Sequence, residues 1–220
     1  MKTRNTARTG ALTARVWLAL TLAAFVAPAA SATPLISEVF YDAVGSDDGL
    51  SFVELFGEPG TSLEGLVLVG INGSNGAAGP TLELSGVFGD DGLFVVADRT
   101  NDGTTMVSGA DLLLNFDFQN GPDSIVLEDA LGVLDAVGYG AFDPDEIFAG
   151  EGNPAPDVAA GQSLARLFAD LDTDDNALDF AAEGVPTPGS AVYANVPEPG
   201  SALLAGVGLF TVGRMRRRRR

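Results

Sequence analysis

Glycine and proline punctuate the chain from Thr33 to Asn195, and the runs between them are short and rich in Val, Ile, Leu and Phe. Such runs, bounded by turn residues, read as strands, because branched and aromatic side chains suit a pleated, half-buried surface. The candidates are Leu35–Tyr41, Phe52–Phe56, Leu66–Ile71, Thr81–Leu84, Leu93–Ala97, Leu112–Phe116, Ser124–Leu127, Val133–Tyr139 and Ser163–Leu167. Asn72-Gly73 and Asn120-Gly121 are turn dipeptides, since both residues tolerate positive φ. No stretch of this body sustains a helical period, although Ala165–Leu171 has the composition for one turn of helix. Nine short strands with turns between most of them predict an all-β sandwich. With no cysteine anywhere, that sandwich must stand on its core or on bound ions.

The 163 residues of this body suit one domain with a sizeable core. They hold 29 of the 30 acidic residues and only two basic ones, Arg99 and Arg166, for a formal charge of −27. The whole-chain value of −18 hides this, because ten of the twelve basic residues lie in the two ends. Such a surface repels phosphate backbones and attracts divalent cations, so no nucleic-acid partner is expected. The absence of histidine and cysteine removes the usual zinc ligand sets, and with them Ser-His-Asp and Cys-His catalysis.

The N-terminus reads as an address. Lys2, Arg4, Arg8 and Arg15 precede the apolar run Val16–Val26, and Ala30-Ser31-Ala32 supplies small residues for signal peptidase, with the cut placed after Ala32. At the other end, Val196-Pro197-Glu198-Pro199 leads into the apolar stretch Gly200–Gly213, then Arg214 and the run Arg216–Arg220. As a helix those 14 residues would cover only ~21 Å at about 1.5 Å per residue, a marginal transmembrane span. Arginines held in the cytoplasm would leave the body outside. The motif, the short apolar helix and the Arg cluster, in that order, resemble the PEP-CTERM sorting signal. The resemblance implies recognition by a membrane exosortase, cleavage near Pro197, Glu198 and Pro199, and a route from a precursor anchored in the inner membrane to the cell envelope, surface or medium.

Within the body, Leu35-Ile36-Ser37-Glu38-Val39-Phe40-Tyr41-Asp42 followed by Phe52-Val53-Glu54-Leu55-Phe56 is similar to the opening strands of a lamin tail domain. Leu63-Glu64-Gly65-Leu66-Val67-Leu68, Asp123–Leu127, Leu134–Gly140, Gly161–Arg166, Asp172–Asn176, Asp179-Phe180 and Pro186–Gly189 continue the resemblance in order. It implies an immunoglobulin-like β-sandwich used as a binding or structural module. The basic surface that a DNA-contacting member would need is missing, so only the fold carries over. The expected organisation is a signal peptide over 1–32, a lamin-tail-like sandwich over 33–192, and a sorting tail with one short transmembrane helix over 193–220. The expected role is non-enzymatic: an adhesive or matrix-forming surface protein in contact with extracellular polysaccharide or another surface protein. The alternative is a secreted carbohydrate-active enzyme, or a hydrolase accessory domain, that works through carboxylates.

Individual residues sharpen these expectations. Glu38 and Glu54 could form a glycosidase-like carboxylate pair, but strand alternation would equally turn both to solvent, or each could pair with backbone or Arg166. Arg166, nearly alone among acids, is expected to hold one or two carboxylates bidentately. Asn72-Gly73-Ser74 reads as a hairpin turn rather than a glycosylation site, and Gly70–Gly76 lacks the Lys and the helix of a phosphate loop. Asp170, Asp172, Asp174, Asn176 and Glu183 place oxygen side chains where a calcium ion could collect them. Counted from Asp172, Asp174, Asn176 and Glu183 follow EF-hand spacing, but Ala177 stands where that loop needs Gly and no helices flank it. Two readings stay open: a looser calcium loop within the sandwich, or a solvated loop whose Asp and Asn residues cap turns and the chain entering Phe180.

Overall fold

The computed structural model describes residues 32–194. The strands are β1 Leu35–Phe40, β2 Phe52–Phe56, β3 Val67–Asn72, β4 Ala78–Glu83, β5 Leu93–Asp98, β6 Leu112–Leu114, β7 Asp123–Asp129, β8 Gly132–Tyr139, β9 Ser163–Arg166 and β10 Phe180–Glu183. A single turn of helix, α1 Asn176–Asp179, precedes β10. A six-stranded sheet runs β10-β9-β1-β2-β5-β6 and a four-stranded sheet runs β4-β3-β7-β8. All pairs are antiparallel except β5 with β6. One buried cluster joins Ile36, Val39, Leu55 and Val96 of the first sheet to Leu68, Ile125, Leu127 and Val137 of the second. The two-sheet sandwich expected from the strand pattern is therefore present.

Differences from the expected elements have local causes. Ala165–Leu171 holds no helix: Ala165 and Arg166 belong to β9, whose ladder with β10 fixes an extended backbone. The helical turn sits at Asn176–Asp179 instead, where the Asp175 side chain accepts from the Ala177 N–H as an N-cap. The signal peptide expected over 1–32, all but its last residue, and the expected C-terminal transmembrane helix lie outside the described residues. Among the described residues no helix is long and apolar enough to cross a membrane.

The six-stranded sheet is covered on both faces, which explains why every residue of β1 and β5 is buried. A register shift between Ile36 and Glu38 turns Ile36 and Val39 into the core while Glu38 faces outward. On that outer face Phe40, Phe52, Val95 and Ala97 pack beneath Leu50, Val107, Ala110 and Leu113. Farther along, the face is crossed by the segment that follows β10, residues 184–194, here called the strap.

Candidate functional site

Asp135 sits on β8, an edge strand, at an inward position of the alternation 135, 137, 139. It is fully buried and accepts from the Ile36 N–H of the facing sheet. Arg166 on β9, which lies between β10 and β1, reaches the same carboxylate: its Nη2 donates to both Asp135 oxygens, at 3.0 and 2.9 Å. Its Nη1 reaches Asp172 at 3.2 Å, Asp179 at 3.1 Å and the Leu171 carbonyl at 3.2 Å. Nε donates to the Ile36 carbonyl, and the guanidinium lies 4.6 Å from the centre of the Phe180 ring. Arg166 thus pairs with three carboxylates, meeting both oxygens of Asp135 through one nitrogen, and its pair with Asp135 ties the two sheets together.

A fourth carboxyl completes this cluster. Asp135, Glu151 and Asp172 bring oxygens within 4.8 Å of one another, and Glu151 Oε2 is buried without a hydrogen-bond donor. Burial, then the charges of Asp135 and Asp172, push Glu151 up to about 8. Burial also raises Asp135, against the pull of Arg166. Arg166 grips Asp135 through both oxygens and favours its charged form, so of the two raised carboxyls Glu151 is the one that favours the proton. Three oxygens at this spacing match the reach of a calcium ion, whose ligands stand at about 2.3–2.6 Å. Arg166 already occupies part of that space.

Of the five residues expected to collect calcium, only Asp172 belongs to this cluster. Asp170 Oδ1 accepts from the Ala194 N–H at 2.6 Å, and Asp174 donates its N–H to Asp172. Glu183 ends β10 opposite Ser163, with its side chain exposed. Asn176 is buried and does the work of a missing neighbour strand. Its Oδ1 accepts from the N–H groups of Gly138 and Glu151, both at 2.9 Å, and its Nδ2 donates to the Ala136 carbonyl at 2.8 Å. One side chain thereby satisfies two backbone groups on the edge of β8, and the Gly138 carbonyl accepts from the Ala155 N–H. Gly150 is needed beside it, because a Cβ there would collide with Asn176 Oδ1 and the Gly138 nitrogen.

The Glu38–Glu54 pair is the second candidate. The two are direct register partners across β1 and β2, both buried under the strap. Glu38 accepts from Ser163 Oγ and from the N–H and Oγ1 of Thr187; Glu54 accepts from Ser37 Oγ and the Gly189 N–H. Burial raises the pKa of Glu54, partly offset by its bonds to Ser37 and Gly189, while the charge of Glu38 adds to the rise. The carboxylates that alternation would have left in water instead clamp the strap. Farther along it the Val192 carbonyl accepts from Ala169 N at 2.8 Å, the Tyr193 hydroxyl donates to the Asp91 carbonyl at 3.1 Å, and the Tyr193 ring lies 5.7 Å from that of Phe56.

Where the strap's description ends, the motif begins: residues 195–220 match the PEP-CTERM protein-sorting motif. The chain is therefore an exported protein sorted to the cell surface by an exosortase. No curated protein and no solved structure matches it.

Proposed function

We propose that this is a non-enzymatic surface or matrix protein, whose body is a lamin-tail-like sandwich that binds extracellular polysaccharide or another surface protein after exosortase release. The observation that carries the reading is a sorting motif joined directly to a single acidic β-sandwich. The lamin-tail phrases support it: the Ile36–Val39 and Phe52–Leu55 segments form adjacent antiparallel strands, and Gly161–Arg166 leads into the strand on the other side of β1. Against the carbohydrate-active alternative, the Glu38 and Glu54 oxygens already accept hydrogen bonds from the strap.

Two measurements test this. Mass spectrometry of the surface protein in an exosortase-bearing cell is expected to give an N-terminus at Thr33 and loss of the chain after about Pro199. A mature species that keeps Arg216–Arg220 would refute tail removal. Incubation of the mature protein with released polysaccharide is expected to show binding without new reducing ends. Reducing ends that disappear in Glu38→Gln or Glu54→Gln would establish the enzyme instead.

A further inference from the structure

The strap leaves almost no slack between the folded body and the sorting motif. Its last described residue, Ala194, is pinned to Asp170, and Val192 and Tyr193 are pinned to Ala169 and Asp91. Pro197 follows three residues later and Gly200 six. A fully extended chain spans at most about 3.5 Å per residue, so Pro197 lies within ~10 Å of Ala194 and Gly200 within ~21 Å. Headgroup layers add only about 5–7 Å on each side of the hydrocarbon. While Gly200–Gly213 is held in the membrane, the body cannot stand off from whatever reads the motif unless the strap peels from Glu38 and Glu54.

Apolar side chains are exposed at this exit, as Val44, Leu131 and Val185 are elsewhere on the described body; those at the exit are set apart by the short tether beside them. Phe168, Leu171 and Val192 are 38, 37 and 63% exposed, and hydrogen bonds of their own backbones or of adjacent residues tie them to the end of the strap. Apolar side chains left in water beside a short tether have the chemistry of a docking face.

Resting on the exosortase reading above, we propose that the strap is a docked spacer which seats the Phe168–Leu171–Val192 face against the membrane-embedded processing enzyme while the motif is cleaved. The folded body, and not the tail alone, is then part of what the enzyme engages.

The test uses the full chain in an exosortase-bearing cell and follows the rate of tail loss by pulse-chase. Phe168→Asp with Val192→Asp is expected to slow tail loss at least several-fold at the native spacing. In a chain carrying ten Gly-Ser residues inserted after Ala194, which lets the motif reach the enzyme with the body undocked, the same pair is expected to change little. Equal slowing in both backgrounds, or none in either, overturns the inference. Vesicle binding by the mature protein that the two substitutions abolish would assign the face to lipid and also overturn it. Replacing Pro197, Glu198 and Pro199 by alanine separates the two levels. If the wild-type chain keeps its tail as that variant does, the sorting reading itself has failed.

Discussion

Glu151→Gln should stabilise the protein in alkaline solution and do little in acid. The glutamate's carboxyl is raised to about 8 from an ordinary 4.5, first by burial and then by Asp135 and Asp172. A raised carboxyl means that the folded state holds the proton more tightly than the unfolded chain. Its contribution is therefore fully present below pH 4.5 and is lost as pH climbs through 8. Each unit corresponds to about 1.36 kcal/mol, so the whole shift would amount to ~5 kcal/mol. Glu151 is only half-buried and water relaxes part of the repulsion, which reduces the expected loss to ~1–2 kcal/mol. The amide cannot ionise, yet it can still donate to Asp135. Urea denaturation of the body from Thr33, followed by circular dichroism from pH 4.5 to 9, reads the difference; the only tryptophan, Trp17, lies in the segment expected to be a signal peptide. The variant should match wild type near pH 4.5 and exceed it by ~1–2 kcal/mol at pH 8.5, a gain of roughly 2–8 °C in Tm. Curves that run parallel across the range, or a variant weaker at pH 8.5, would refute the placement of the proton on Glu151.

Arg166→Met should cost about 3–5 kcal/mol by the same denaturation, because it leaves Asp135 buried without its counter-charge, and Arg166→Lys should recover only part of the loss. Asn176→Ala strips the Ala136 carbonyl and the Gly138 and Glu151 N–H groups of their partner, for a loss of ~2–4 kcal/mol. That loss should persist in millimolar calcium; full recovery on adding the ion would mean that Asn176 acts as a ligand. With 29 acids against two arginines, the Tm of the mature protein should rise with added NaCl and with acidification toward pH 5. A flat response to both would show that the carboxylates are paired or too widely spaced to repel.

How much of this was legible in the sequence depended on the range of the interactions. Strands whose apolar side chains face the core, such as Phe52–Phe56 and Leu93–Ala97, announced themselves through branched and aromatic residues. β10 did not, because Phe180-Ala181-Ala182-Glu183 has almost no strand preference and is extended only by its ladder with β9. Arg166 could be singled out as a hub from scarcity alone, since a nearly solitary cation must find carboxylates. Which carboxylates it finds is set by topology: Asp135 lies 31 residues away and arrives because β8 packs against β1, the neighbour of β9 in the facing sheet. An acid at an inward position between two core residues, Asp135 before Val137 and Tyr139, was the one local clue to that partner. Asn176 looked like a calcium ligand because the oxygens around it in sequence are acidic, whereas its bonds run to residues 136, 138 and 151. Glu151 carried no signal at all among so many acids. Its character comes from burial and from two carboxylates delivered by other segments, so in this chain composition marks where a proton or a cation is needed and only the fold decides which residue holds it.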